Sequence, residues 1–301
     1  MPDKPSAEVV IDVELVRALV SSQATSIADA AALPLSHVAD GWDCSVWRFG
    51  EEYAVRLPRR ALSAPLVLHE QDVLAGIAER IAVAGVGVPA PVFAGRPGCG
   101  YPWSWSIVPW FEGHTGLQID PEQRRGWARH LAEALLALHV PAPPDHPVNP
   151  VRGAPLAVRS AAVDARFVSL SGRSVHDGLE GLRRWWDAAL AAPRWSGAPV
   201  WIHGDLHPGN LVAEWTRLVA IIDFGDVTAG DPAYDLAVAW LAFDAVGRAS
   251  FVAALADRYD AATWTRARGW AAAVTLMFLD QSDDNPEYAA LGAQALTALT
   301  R

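Results

Sequence analysis

One lysine, two cysteines and two methionines are all that this 301-residue chain has of those types. Each scarcity excludes something. Lys4 is the only lysine and all other basic side chains are arginines, so any chemistry in the core that calls for lysine must use arginine instead. Cys44 and Cys99 match no CxxC or CxxH metal spacing, and two thiols do not make a disulfide framework, so a reducing compartment is the default. No run of about 18 uncharged apolar residues occurs, because Arg, Asp or Glu interrupts every Ala/Leu-rich segment. The opening MPDKPSAEVVID has no apolar signal core. A soluble, cytoplasmic protein is expected. The formal net charge of -10 speaks against a broad nucleic-acid or anionic-membrane surface and is compatible with a cationic partner. Monomer and dimer both stay open.

What is present is apolar: 51% hydrophobic against 19% charged residues, enough for a substantial core. Apolar positions at helical spacing (Val9, Val13, Val16, Leu19, Val20) predict one or two helices over 8–32. Residues 36–58 alternate around Gly41 and Gly50 and predict antiparallel strands. A helix follows over 65–82, then two more strands over 88–111. From about residue 121 the period is helical. Residues 140–175 hold many prolines and predict a long loop. A helix is expected over 176–192, strand–loop–strand over 200–226, and Ala-rich helices from Asp231 onward. The expectation is an α+β chain with a strand-rich section 1–110 and a mainly helical section 111–301.

The densest chemistry lies in VWIHGDLHPGNLV (200–212) and VAIIDFGD (219–226). Each half is an apolar strand running into polar residues, and a hairpin-like pairing of the two would bring Asp205, Asn210 and Asp223 to one end. Two carboxylates and an amide are hard oxygen donors that suit Mg²⁺ rather than zinc. Phosphoryl transfer also needs a carboxylate to orient the attacking hydroxyl. Asp205 fits that role, with Asn210 and Asp223 holding the metal. Taken singly, such residues in loops serve as turn caps. As an ordered trio, with Phe-Gly after the last, they form the kinase catalytic-loop pattern. His203, Asp205 and His207 also permit a metal-dependent phosphoesterase, although the further ligands of such a site are missing.

The first section supplies a nucleotide side. In YAVRL, Tyr53, Val55 and Leu57 share one face and Arg56 takes the other. Glu70 sits among Leu66, Val67, Val73, Leu74 and Ile77 on the apolar face of the next helix. A buried carboxylate needs a partner, and Arg56 is the natural one. Arg59 and Arg60 are expected to be solvated or to lie at the loop edge. Gly41 to Val46, including Ser45, forms a weak glycine loop for phosphates. Pro109 offers a carbonyl and Phe111 an amide for a base edge. Asp231 reads as a helix cap before Pro232, and Asp235 as a tie from that helix back to the catalytic loop.

These residues resemble the aminoglycoside phosphotransferase family, of protein-kinase-like fold. The resemblance rests on His203–Val212, Ile222–Asp226 and GDPAYDLA from Gly230, and more loosely on GWDCSVWRFG, YAVRLPRR, the Glu70 helix and GYPWSWSIVPWFEG. It implies two lobes, an antiparallel N-lobe sheet with one helix and a larger helical C-lobe. It further implies Mg-ATP (GTP stays open) and phosphorylation of small-molecule hydroxyls, often antibiotics. By that likeness Asp205 is the base and Asn210 and Asp223 are the metal ligands. Arg56 departs from the usual lysine, which leaves open a non-catalytic ligand-binding protein of the same fold. Asp280, Asp283, Asp284 and Glu287 would suit a polyamine acceptor; they read equally well as a solvated helix end and turn.

Overall fold

The structure, a computed structural model, describes residues 5–172, 176–282 and 285–300. The chain forms two compact units, one of Lys4–Glu79 with Gly87–Phe111, the other of Arg80–Val86 with Glu112–Arg301.

The first unit is a helix–sheet–helix sandwich. Five antiparallel strands, β1 (Leu35–Asp40), β2 (Cys44–Phe49), β3 (Tyr53–Pro58), β4 (Phe93–Gly95) and β5 (Trp105–Pro109), take the order β1-β2-β3-β5-β4. Alternation sends Trp47, Phe49, Val55, Leu57, Trp105 and Ile107 to one face, where they bury against Val16, Leu19 and Val20 of α1 (Val13–Gln23). The opposite face carries Arg56, paired in register with Val46 and Ser106. There α2 (Ala64–Ile81) buries Val67, Glu70, Leu74 and Ile77, and Gln71 Nε2 donates to the Trp105 carbonyl (2.9 Å) and Ser106 Oγ (3.0 Å).

The helix expected over 8–32 is shorter. Asp12 caps α1 by accepting the Leu15 amide at 2.8 Å, and the Glu8 amide is taken by the Arg59 carbonyl at 2.8 Å. Residues before the cap are thus tied to the sheet, and after Ala24 the chain turns, with Asp29 left-handed at φ 53°.

The second unit begins with β6 (His114–Thr115), α3 (Pro121–Arg124) and α4 (Ala128–Leu138), whose Leu131, Leu135 and Leu138 are buried. Then come α5 (Ser160–Leu170), α6 (His176–Ala191), β7 (Val200–Ile202), β8 (Leu211–Glu214), β9 (Arg217–Ile221) and β10 (Thr228–Gly230). The remainder is helical: α7 (Ala233–Leu236), α8 (Val238–Leu241), α9 (Ala245–Ala254), α10 (Ala261–Asp280) and α11 (Pro286–Thr300). The long α10 is the hub, packed against α5, α6, α7 and α11. Among the described residues no helix is long and apolar enough to cross a membrane.

Two expectations are corrected here. The stretch 140–175 is not all loop: α5 occupies its second half and buries Val163, Phe167 and Leu170, a spacing of four and three that suits one helix face. The strand Val200–Ile202 does not pair with the strand of residues 219–222. It pairs antiparallel with β10, Thr228 opposite Ile202, while β9 forms a hairpin with β8, Leu211 opposite Ile221. The turn at Trp215, left-handed at φ 51°, closes that hairpin instead.

Candidate active site

The loop from His203 to Asn210 is fixed from beneath. Asp235, fully buried on α7, accepts the His203 amide (2.7 Å) on Oδ2 and the Gly204 amide (3.0 Å) on Oδ1. His139 Nε2 lies 3.1 Å from the same Oδ2, and its Nδ1 lies 2.7 Å from the Tyr259 hydroxyl. The tie from Asp235 to the loop is therefore present. Gly204 is left-handed at φ 83°, and a Cβ there would come 2.6 Å from the Asp226 carbonyl oxygen, so the loop needs glycine on both counts.

Side chains then join this loop to the segment after β9. His203 Nδ1 accepts the Asp205 amide at 3.1 Å, and Nε2 lies 2.9 Å from the Ile222 carbonyl. That pattern sets Nε2 as the protonated nitrogen. Asn210 Nδ2 donates to the Asp205 carbonyl at 2.9 Å, and the Asn210 carbonyl accepts the Ile222 amide at 2.9 Å. Asp223 follows in a left-handed conformation, φ 61° and ψ 63°, before the turn Phe224–Asp226. Asp205 and Asn210 are thus bonded directly, and the Ile222 amide brings the residue before Asp223 onto Asn210, not by the hairpin the sequence pointed to.

The charge balance around Asp205 is set by Arg152. Its Nη2 donates to Asp205 Oδ1 and its Nε to Asp226 Oδ2, each at 3.0 Å. Its Nη1 donates to the Tyr234 hydroxyl, and its guanidinium carbon lies 5.5 Å from the centre of that ring. Burial alone would raise the Asp205 pKa. Arg152, with His207 Nε2 at 3.6 Å from Oδ2, outweighs that and holds the carboxylate well below its usual range. Burial, with Asp205 and Asp226 adding to it, pushes the Tyr234 phenol up to about 12 against the opposing pull of Arg152.

The donor set fits Mg²⁺. Asn210 spends its amide nitrogen on the Asp205 carbonyl, which leaves its oxygen as the side that can serve a cation, and Asp223 adds a carboxylate. Two protein oxygens suit an ion that keeps waters or phosphates as its other ligands. Among the described residues no group of three or more His, Cys, Asp or Glu is placed to hold a metal ion. The phosphoesterase alternative requires such a group. His207 instead accepts the Gly209 amide on Nδ1 at 3.0 Å and packs edge-on to Phe278 and Tyr288, both at 5.5 Å.

In the first unit, Arg56 Nη1 donates to both oxygens of the buried Glu70 carboxylate, at 2.6 and 2.7 Å. Gly41 turns β1 into β2, its amide on the Cys44 carbonyl at 2.8 Å. Ser45 is buried in β2 and its hydroxyl accepts from Trp47 Nε1 at 3.0 Å. Of the two places expected for Arg59 and Arg60, the structure gives the loop edge and not free solvent. Arg59 is buried and donates to the Gly41 carbonyl at 2.9 Å, while Arg60 reaches Asp43 at 3.3 Å. Both staple the turn after β1. Pro109 ends β5 opposite Tyr53, and the Phe111 ring fills the space beside Gly87, where a Cβ would come within 2.3 Å of it.

Asp280 Oδ1 accepts the Ser169 hydroxyl at 2.6 Å, and Glu287 sits in the first turn of α11. Asp283, with Asp284, lies outside the described residues. Sequence reasoning missed Arg152 altogether. Its one signal is that it is the sole arginine of the proline-rich stretch 140–155, followed directly by glycine.

Residues 35–270 match the family described as the phosphotransferase enzyme family, APH. The chain belongs to that family. No curated protein matches it in sequence. Among solved structures, the phosphotransferase is similar to the GDP complex of aminoglycoside 2'-phosphotransferase-IIIa at 15% identity, covering 95% of this chain and 97% of that one with a TM-score of 0.66. It is similar to a macrolide 2'-phosphotransferase from Brachybacterium faecium at 22% identity, with 95% and 98% coverage and a TM-score of 0.60. A macrolide 2'-phosphotransferase type I gives 21% identity, 97% and 99% coverage and a TM-score of 0.62. At these identities the likeness establishes the kinase-like α+β fold of the phosphotransferase.

Proposed function

We propose that this phosphotransferase moves the terminal phosphoryl group of ATP to a hydroxyl of a small molecule. The observation that carries the reading is the bonding of the Asn210 side chain to the Asp205 main-chain carbonyl and of the Ile222 amide to the Asn210 carbonyl, which ties the loop of Asp205 and Asn210 to the segment that carries Asp223. Asn210 and Asp223 would hold Mg²⁺. When bound there, the ion offsets phosphate charge. Arg56, fixed by Glu70, serves as the phosphate-binding cation of the first unit, its guanidinium replacing the customary ammonium.

Asp205 accepts the hydrogen bond of the attacking hydroxyl. The acceptor oxygen forms its bond to the γ-phosphorus as the bridging bond to ADP breaks. With Oδ1 held by Arg152 at 3.0 Å, the main task of Asp205 is to aim the hydroxyl, and in a loose transition state the proton leaves late. The aminoglycoside and macrolide enzymes of the same fold make those two classes the first acceptors to try.

The test is ATP turnover against a panel of aminoglycosides, macrolides and simple polyols, with Asp205→Asn as control. An acceptor-dependent turnover that falls at least about 100-fold in Asp205→Asn is expected. Turnover unchanged in that variant would sink the assignment.

A further inference from the structure

Resting on that reading, we propose that Arg152 is a positioning residue for phosphoryl transfer: it holds Oδ1 of Asp205 and so leaves Oδ2, with His207 Nε2 at 3.6 Å, to aim the acceptor hydroxyl. Nothing in the trio Asp205, Asn210 and Asp223 requires such a residue, and its loop lies far from them in sequence.

The geometry is specific. All three guanidinium nitrogens are used: Nε on Asp226, Nη1 on the Tyr234 hydroxyl, Nη2 on Asp205 Oδ1. Three bonds in one plane fix both the position and the tilt of the group. A carboxylate bonded through one oxygen to a fixed donor can no longer rotate about its last torsion, which is otherwise broad.

Arg152 is itself held on both sides of the chain. Asn149 Oδ1 accepts the amides of Val151 (2.9 Å) and Arg152 (3.0 Å), and Asn149 Nδ2 donates to Asp226 Oδ1 at 2.7 Å. One carboxylate, Asp226, thus ties both the turn that carries Arg152 and the guanidinium itself. Gly153 follows at φ 70°, and a Cβ there would lie 2.5 Å from the Ala229 carbonyl oxygen. A Cβ on Gly230 would in turn lie 2.6 Å from the Gly153 Cα. Only glycines let this loop run so close to β10. The loop so placed delivers one guanidinium to Asp205, Asp226 and Tyr234 together.

An unclamped Asp205 would bind the hydroxyl no less, but would aim it over a wider range of angles. A misplacement of about 1 Å costs up to roughly 100-fold in rate. The loss belongs in kcat and not in the nucleotide KM.

The test uses slow hydrolysis of Mg-ATP, with water as the acceptor, so that it does not wait on the natural acceptor. Arg152→Ala is expected to lower kcat roughly 10- to 100-fold with the ATP KM within about twofold. Millimolar guanidinium at fixed ionic strength should restore part of the loss, whereas equal sodium chloride should not. Arg152→Lys should lie between, and Asp226→Asn should show part of the same loss, adding little to Arg152→Ala in the double variant. If Arg152→Ala does not fold, as judged by its melting transition, the other two variants carry the test.

A kcat within twofold of wild type in a folded variant overturns the proposal. So does a loss that falls on the ATP KM, or losses at 152 and 226 that simply add. The parent reading fails differently: Asp205→Asn would then turn over ATP as wild type does, or the wild-type chain would turn it over neither with water nor with any acceptor of the panel.

Discussion

At the scale of single residues, the Arg56–Glu70 pair is a guanidinium held by a buried carboxylate. Glu70 is 1% exposed and Arg56 only 12%. Removing one partner leaves the other charged and poorly solvated, whereas removing both together need not. Glu70→Leu is therefore expected to cost about 2–4 kcal/mol, a little under the figure for a wholly buried pair because Arg56 keeps some water. The double variant Arg56→Met with Glu70→Leu should recover most of it. Urea denaturation of the three chains measures this, and a double variant less stable than Glu70→Leu would contradict it. The pair itself was legible in the sequence, because a Glu on an apolar helix face demands a cation and the adjacent strand offered only one. Arg152 was not legible. Its partners stand more than fifty residues away, and only the folded loop brings them together.

At the scale of elements, caps and close approaches decide where segments stop and meet. Asp260 caps α10, accepting the amide (2.7 Å) and hydroxyl (2.6 Å) of Thr263. The hydroxyl bond first, then the amide bond, lowers its pKa. A carboxylate so lowered adds stability that is complete above its unfolded pKa of about 3.9 and is lost as pH falls through and below that value. Asp260→Asn keeps a good cap but cannot titrate. Its stability should fall less steeply than wild type between about pH 4.5 and 3, read by thermal melts across that range. Gly153→Ala should be worse than an exposed loop change. It meets both a left-handed φ and the Ala229 carbonyl, and a loss of about 1–3 kcal/mol is expected, with ATP hydrolysis falling in parallel as Arg152 shifts. A variant as stable and as active as wild type would show that the loop tolerates displacement.

These same close approaches explain which elements the sequence disclosed. The five-stranded sheet and α2 carry period-two and helical patterns of their own, so their positions were readable. The partner of β7 was not, because three apolar residues carry no register. Ile222 continues the apolar run of β9, but its carbonyl and amide go to His203 and Asn210. Nor was α5 apparent, since the prolines that precede it mask a short apolar stripe at Val163, Phe167 and Leu170.

At the scale of the whole molecule, the proposed roles fall in different compact units: Arg56 and Glu70 in one, the Asp205 group in the other. The proposed roles predict that ligand stabilisation and turnover separate by unit. Mg-ATP at 100 times its dissociation constant adds about 2.7 kcal/mol to the folded state. Asp205→Asn should keep most of that increment while losing turnover. Arg56→Met should lose most of it. Thermal shift against ATP concentration measures both, and equal shifts in the two variants would reassign the nucleotide contact.

The near-absence of lysine reaches beyond the site. Nucleotide reagents that acylate a nearby amine find none in β3 or anywhere between residues 5 and 301. Surveys that count active kinases by such labelling will pass over this chain even when it is abundant and turning over. A dicarbonyl reagent selective for guanidinium groups, competed by ATP, would detect what those surveys miss.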